Sequence, residues 1–140
     1  MNWDKLTIKA QEAIADAQKR AEAMQHQMIE NEHLLLALIT QKDGIVRPIL
    51  DKLGVNHGVI LSALEKELKK IPTVEGHIQV YISHGLKNAI DLAFKEAERL
   101  KDEYVSTEHL LIGICETKEG GAYLVLNRND FTILVQDGNS

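Results

Sequence analysis

The hydrophobic pattern of the first half of the chain predicts four helices. From Thr7, a suitable N-cap residue, apolar side chains recur every three or four positions up to Met24, as they do on one face of an α-helix. Residues 32–39 (EHLLLALI) are apolar on nearly all sides, so we expect them to form a short buried helix. A third helical segment is predicted within residues 45–54, and an amphipathic helix at about 57–70.

The same pattern starts again 76 residues further along the chain. Residues 7–39 align with residues 83–115 without a gap, and ten of the 33 aligned pairs are identical, where chance would give about two. The identical pairs are Ala13/Ala89, Ile14/Ile90, Ala17/Ala93, Lys19/Lys95, Ala21/Ala97, Glu22/Glu98, Glu32/Glu108, His33/His109, Leu34/Leu110 and Leu35/Leu111. Two copies of one helical unit usually pack as a pair, so we expect a binding surface at the seam between them.

The end of the second copy departs from the pattern of the first. Gly54, the expected end of the third segment, is replaced by Asp130 in the second copy. The tail, residues 127–140, contains a short β-prone run, FTILV, between polar residues. We therefore expect the helical pattern to be lost after Gly120, with a strand or disorder near the end of the chain.

The connection between the two copies, residues 72–82 (PTVEGHIQVYI), begins with a proline that ends the preceding helix. Its IQVYI stretch has weak strand character. No partner strand is evident elsewhere in the sequence, so we expect an extended connector.

Composition and charge narrow the class of protein. A length of 140 residues with 44% apolar residues suits one helical domain with a real core. The net charge of −5 argues against a nucleic-acid partner. The lone cysteine, Cys115, is expected to be a buried structural thiol and fits a reducing cytoplasm. No apolar run is long enough for a membrane span or a signal peptide, so we expect a cytoplasmic protein.

No motif in the sequence predicts catalysis. Phosphate-binding loops, a nucleophile elbow and zinc-like histidine spacing are all lacking, so we expect no enzymatic activity, no catalytic residues and no metal site. His33 and His109, one in each copy, are expected to be packing and hydrogen-bonding positions in the first turn of a buried helix. A small helical enzyme with carboxylate chemistry is the least favoured alternative.

Several segments together resemble the Clp N-terminal repeat of the AAA+ Clp protein unfoldases. They are DKLTIKAQEAIADAQKRA, ENEHLLLALI, the linker KIPTVEG and YISHGLKNAIDLAFKEAERLKDEYVSTEHLL, and the linker is most similar to the disaggregase (ClpB) branch. The resemblance implies an all-α fold of two pseudo-twofold-related repeats of up to four helices each, with the final helices of the second repeat uncertain. It implies one domain over 1–140, with repeat 1 at about 1–71, a linker at 72–82, repeat 2 at about 83–126 and a divergent tail at 127–140.

The resemblance also implies a function. In the family this domain lies ahead of two ATPase modules, and the complete proteins are hexamers. ATP and Mg are cofactors of those modules, so the resemblance implies no cofactor in this chain. The implied role is non-catalytic binding of unfolded or aggregated polypeptides and of adaptor proteins or co-chaperones, by an isolated domain that is a monomer. A ClpC-type adaptor or phosphoarginine docking module and a free-standing Clp-repeat protein are the alternatives.

Seven residues are candidates for substrate binding. The family positions its contacts at the first N-cap and around EHLL, which implies Thr7, Asp102 and Glu108, and the duplication adds Ser83 and Glu32. Helix phase adds Leu92 and Phe94, which lie outside or at the edge of the buried stripe of residues 83–102. Glu32 and Glu108 match the carboxylates that help recognise phosphorylated arginine in the ClpC branch, but both are also explained by the helix dipole, which favours a negative charge in the first turn.

Overall fold

Seven α-helices account for most of residues 2–131, the part of the chain that the computed structural model describes. A 3-10 turn at Trp3–Lys5 precedes them. The helices are α1 Ile8–Ala23, α2 Asn31–Thr40, α3 Val46–Lys52, α4 His57–Lys69, α5 His84–Arg99, α6 Thr107–Glu116 and α7 Gly120–Arg128. The all-α class predicted from the sequence is confirmed.

The first helix of each repeat begins as predicted. The Thr7 hydroxyl accepts a hydrogen bond from the backbone N–H of Ala10 at 3.1 Å, and the Ser83 hydroxyl accepts one from Leu86 at 3.0 Å. Each bond satisfies one of the N–H groups that a helix start leaves without a partner. The predicted apolar faces are buried, and α2 and α6 are buried on nearly all sides.

The helical pattern was predicted to be lost after Gly120, and for the described residues 120–131 this prediction is wrong. Helix α7 follows at Gly120–Arg128, at the positions that correspond to α3, and Leu126 is fully buried. Asp130 ends it in a left-handed conformation, with φ of 61°, where Gly54 has φ of 77°. Aspartate is one of the few residues besides glycine that adopts this conformation readily, so the replacement kept the helix stop.

The predicted strand or disorder falls mainly on residues 132–140, which lie outside the described residues. Phe131 is the one described residue of the FTILV run. It has helical backbone geometry, and its side chain is fully buried.

The beginning of each repeat pairs with the other repeat. Strand β1, Met28–Ile29, pairs in parallel with strand β2, Tyr81–Ile82, and Leu6 forms a parallel bridge with Val105. An offset of 76 residues converts one contact into the other, because it carries Leu6 to Ile82 and Ile29 to Val105. The connector predicted to be unpaired thus has a partner strand, too short to be recognised from the sequence.

Helix α2 lies at the centre, in contact with the other six helices of the described chain. Helices α5 and α6 approach each other closely at Gly113, where an added Cβ atom would lie only 2.2 Å from the carbonyl oxygen of Ala89. None of the helices in residues 2–131 is both long and apolar enough to cross a membrane.

Candidate functional site

A cavity of about 650 Å³ opens between the start of α1, helix α3, and the loop and helix that follow α5. We call it the acidic groove. Its walls are mainly apolar and come from both repeats. The apolar lining residues are Ile49, Leu53, Leu100, Leu111, Ile112 and Phe131. Leu100 is nearly half exposed, and Ile49, Leu53 and Ile112 are half-buried, so these four side chains are accessible to a ligand. Leu111 and Phe131 are buried.

The polar rim of the acidic groove is negatively charged. Asp102, Glu103 and Glu108 line it, and no lysine or arginine is found among its described lining residues. Thr7 also lines the groove. Its hydroxyl oxygen accepts the α1 cap bond, so its O–H remains a donor. Three of the predicted site residues, Thr7, Asp102 and Glu108, therefore meet in one cavity.

His109 holds Asp102 in place. The backbone N–H of Ser106 donates to His109 Nδ1 at 2.9 Å, which leaves the ring proton on Nε2. His109 Nε2 donates this proton to Asp102 Oδ2 at 2.8 Å. Asp102 Oδ1 has no partner within residues 2–131, and the side chain is half exposed, so one carboxylate oxygen remains free for a ligand.

The first repeat uses the same histidine position with a neutral partner. His33 Nδ1 accepts from the backbone N–H of Glu30 at 2.9 Å, and His33 Nε2 then donates to His26 Nδ1 at 2.8 Å. His33 is fully buried, and burial together with the neighbouring His26 lowers its pKa to about 4. The predicted hydrogen-bonding role of His33 and His109 is confirmed, since each caps the start of its helix.

Glu32 and Glu108 have different surroundings although they are equivalent in the two repeats. Glu32 Oε1 accepts a hydrogen bond from the backbone N–H of Ala122, in the first turn of α7, at 3.3 Å. Burial raises the pKa of the Glu32 carboxyl. Glu108 has no hydrogen-bond partner within residues 2–131 and is half-buried in the wall of the acidic groove. The carboxylate of Glu32 is therefore engaged in a contact between the repeats, whereas that of Glu108 is available to a ligand.

The other candidates lie elsewhere. Ser83 is buried at the start of α5, where its hydroxyl is engaged as the helix cap. Leu92 and Phe94 are half-buried on α5 and do not line the acidic groove. Phe94 packs against the hydrophobic core. A binding role for Ser83, Leu92 or Phe94 stays a prediction.

Sequence reasoning missed the apolar walls and the histidine support. Leu100 has the spacing of the buried stripe of α5, which predicts a core position, yet it lies at the C-cap and is 46% exposed. The Asp102–His109 pair had a detectable signal, because His26 and His33 in the first copy have the same separation of seven residues. The wall formed by Ile49 and Leu53 gave no such signal, since it depends on how α3 packs beside α6.

Comparisons with known proteins agree on one family. The family model described as the Clp repeat (R) N-terminal domain matches residues 5–129. A chaperone protein ClpB of Rhodopirellula baltica is 43% identical over 114 residues, which are 81% of this chain and 13% of the relative. The ClpB of Bacillus cereus (strain ATCC 14579) is 37% identical over 122 residues, which are 84% of this chain and 14% of the relative.

Solved structures show the same fold. The N-terminal domain of Hsp104 from Candida albicans superposes with a TM-score of 0.81 at 20% identity, covering 94% of this chain and 88% of that one. The N-terminal domain of ClpD from Arabidopsis thaliana gives a TM-score of 0.70 at 22% identity, covering 98% and 96%. The chain spans about one-seventh of the length of its curated relatives, as the shares of 13% and 14% show.

Proposed function

The chain belongs to the Clp repeat N-terminal domain family, and we propose that it binds polypeptide substrates and adaptor proteins for a ClpB-like, ATP-dependent disaggregase. In this proposal the domain captures unfolded or aggregated chains and performs no catalysis itself. ATP hydrolysis, threading and the hexameric ring belong to the rest of such a protein.

The acidic groove is the observation that carries the proposal. It combines an accessible apolar wall with free carboxylate oxygens and the Thr7 hydroxyl. A folded substrate hides its apolar side chains, whereas an unfolded one exposes them and also exposes backbone N–H and C=O groups. The groove could bind both, because its walls take apolar side chains, its carboxylates accept N–H groups and Thr7 donates to a carbonyl.

The charge of the groove narrows the preferred segment. Asp102, Glu103 and Glu108 attract lysine and arginine and repel acidic residues. We therefore expect the bound segments to combine apolar residues with basic ones. Each exposed ion pair contributes about 0.2–1 kcal/mol, so the charges tune selection and the apolar wall supplies most of the affinity.

The experiment measures binding of a fluorescent peptide with an apolar core and lysine flanks to the 140-residue chain by anisotropy. We expect Asp102→Asn together with Glu108→Gln to weaken binding about ten-fold, because two ion pairs with the peptide are lost. Glu75→Gln is the matched control, since Glu75 is exposed in the linker and does not line the acidic groove. Unchanged affinity in the double variant, or no binding of any unfolded chain, would refute the proposal.

Docking of phosphorylated arginine is the rival function. Glu32 already accepts a hydrogen bond from α7, and the described residues that line the groove around Glu108 include no lysine or arginine that could hold a phosphate. Titration of phosphoarginine against the unmodified chain and against Glu108→Ala separates the two functions. We expect no saturable binding, and a clear shift that depends on Glu108 would favour the rival.

A further inference from the structure

A second groove lies in the first repeat. It has a volume of about 700 Å³ and is formed by α1, α2, α4 and the residues that follow α4. We call it the basic groove. Its floor is apolar and is made by Met24, Leu36, Leu61, Leu68 and Ile71. Its size and apolar floor make it comparable to the acidic groove.

The two grooves occupy related places on the two repeats. The offset of 76 residues carries Met24 to Leu100 and Leu36 to Ile112, which form part of the apolar wall of the acidic groove. It also carries His26 to Asp102, so the rim position next to the shared histidine changes from a neutral imidazole to a carboxylate. The duplication has therefore produced two similar apolar surfaces with different rims.

The rim of the basic groove carries two cations. Arg20 is oriented by Asp16, at 2.8 Å from Nε, and by the Thr40 hydroxyl, at 2.9 Å from Nη2. Lys69 has no ion-pair or hydrogen-bond partner within residues 2–131. One carboxylate, that of Glu65, also lines the groove. Because Asp16 offsets part of the charge of Arg20, Lys69 is the stronger attractant for an anion.

We propose that the basic groove is a second docking site, which takes a polypeptide segment that combines apolar side chains with carboxylates. The apolar residues would lie on the floor, and aspartate or glutamate side chains would pair with Lys69 and Arg20. A guanidinium already fixed by Asp16 and Thr40 loses little side-chain freedom when it binds a carboxylate. The acidic groove, with three carboxylates, disfavours the same segment. This inference does not depend on the function proposed for the acidic groove.

The test uses two fluorescent peptides with the same apolar core, one flanked by glutamates and one by lysines, and the 140-residue chain. Lys69→Gln combined with Arg20→Gln is expected to weaken binding of the glutamate-flanked peptide about five-fold and to leave the lysine-flanked peptide unchanged. Lys66→Gln is the matched control, because Lys66 lies on the same helix but lines another part of the surface. Circular dichroism of each variant verifies that it is folded.

Competition shows whether the grooves are separate. The two peptides are expected to bind together, and backbone amide shifts caused by the glutamate-flanked peptide should centre on Leu61 and Leu68. The proposal is overturned if this peptide does not bind, if the double variant binds it with unchanged affinity, or if the lysine-flanked peptide displaces it. Loss of lysine-flanked peptide binding in the Asp102 and Glu108 variant concerns the acidic groove, so failures at the two sites are distinguishable.

Discussion

At the position of the shared histidine, the two repeats solve the same capping problem with different neighbours. His33 and His109 both accept the N-cap backbone N–H through Nδ1, and both donate through Nε2. The recipient is a buried neutral ring in the first repeat and a half-exposed carboxylate in the second. One residue type thus stabilises a core in one copy and orients a candidate binding group in the other.

The buried histidine pair should make the domain less stable in mild acid. Because the pKa of His33 falls from 6.5 to about 4 on folding, the unfolded chain binds more protons between these values. The contribution of neutral His33 to stability is therefore complete above pH 6.5 and is lost as the pH is lowered towards 4, by at most about 3 kcal/mol. Urea midpoints measured across this range test the expectation.

His33→Gln should flatten this pH dependence, because a glutamine at the third helical position can still accept the N-cap N–H but does not titrate. His77→Gln, which changes an exposed linker residue, is the control and should leave the pH profile unchanged. An equally steep profile in His33→Gln would contradict the assignment, although burial also lowers the pKa of His26, so some slope will remain.

Glu32→Gln should stabilise the domain near neutral pH. Burial raises the pKa of Glu32, so the ionised carboxylate is unfavourable in the folded state. The stability of the domain therefore decreases as the pH rises through that pKa. A glutamine keeps the oxygen that accepts from Ala122 but carries no charge. Thermal unfolding at pH 8 measures the gain, with Glu12→Gln on the exposed face of α1 as control.

A loss of stability in Glu32→Gln would mean that the helix dipole of α7 favours the charge by more than burial opposes it. Glu32→Ala, which removes both the charge and the acceptor, should be less stable than Glu32→Gln in either case.

At the scale of the elements, the repeats differ in the residue at one close helix contact, between α5 and α6. The repeat offset places Ala37 of α2 where α6 has Gly113, so the first repeat carries a methyl side chain at the position where the second repeat has none and lies against the backbone of Ala89. Helices that carry alanine and glycine at their interface can approach closely, and the resulting packing leaves little room for an added methyl group.

Gly113→Ala should therefore destabilise the domain by about 1–3 kcal/mol, although alanine is the better helix former. The added Cβ would lie 2.2 Å from Ala89 O, so α5 and α6 must separate. Gly85→Ala is the matched control, because its nearest neighbour, Asn31 Nδ2, would be at 3.7 Å, and it should be neutral or stabilising. Destabilisation by both substitutions to the same extent would show that the close approach is not the cause.

The elements were largely predictable from the sequence, and the groove was not. Hydrophobic period and capping residues identified α1, α2, α4, α5 and α6, because these signals are local. Helix α7 was missed because its end uses Asp130 instead of glycine, which sequence reasoning read as a loss of the motif. The walls of the acidic groove come from segments that are distant in sequence, such as Leu53 and Tyr104, and only packing brings them together.

At the scale of the whole molecule, neither repeat completes its own backbone hydrogen bonds. Thr7 N–H donates to Val105 O at 2.9 Å, and its counterpart Ser83 donates to Ile29 O at 3.1 Å. Val105 N–H in turn donates to Lys5 O at 2.7 Å. Because these contacts join positions far apart in sequence, we expect the described domain to unfold as one cooperative unit, with coincident transitions by fluorescence and circular dichroism.

The reciprocal pairing has a consequence for a single repeat on its own. Residues 1–71 would retain Leu6 and Ile29. In the full chain Leu6 pairs with Val105, the equivalent of Ile29, and Ile29 pairs with Ile82, the equivalent of Leu6. Leu6 of one copy can pair with Ile29 of a second copy, and the reverse, which describes a self-complementary twofold interface. Sedimentation of the excised repeat is expected to show a homodimer, and the natural chain then corresponds to such a dimer with its subunits fused.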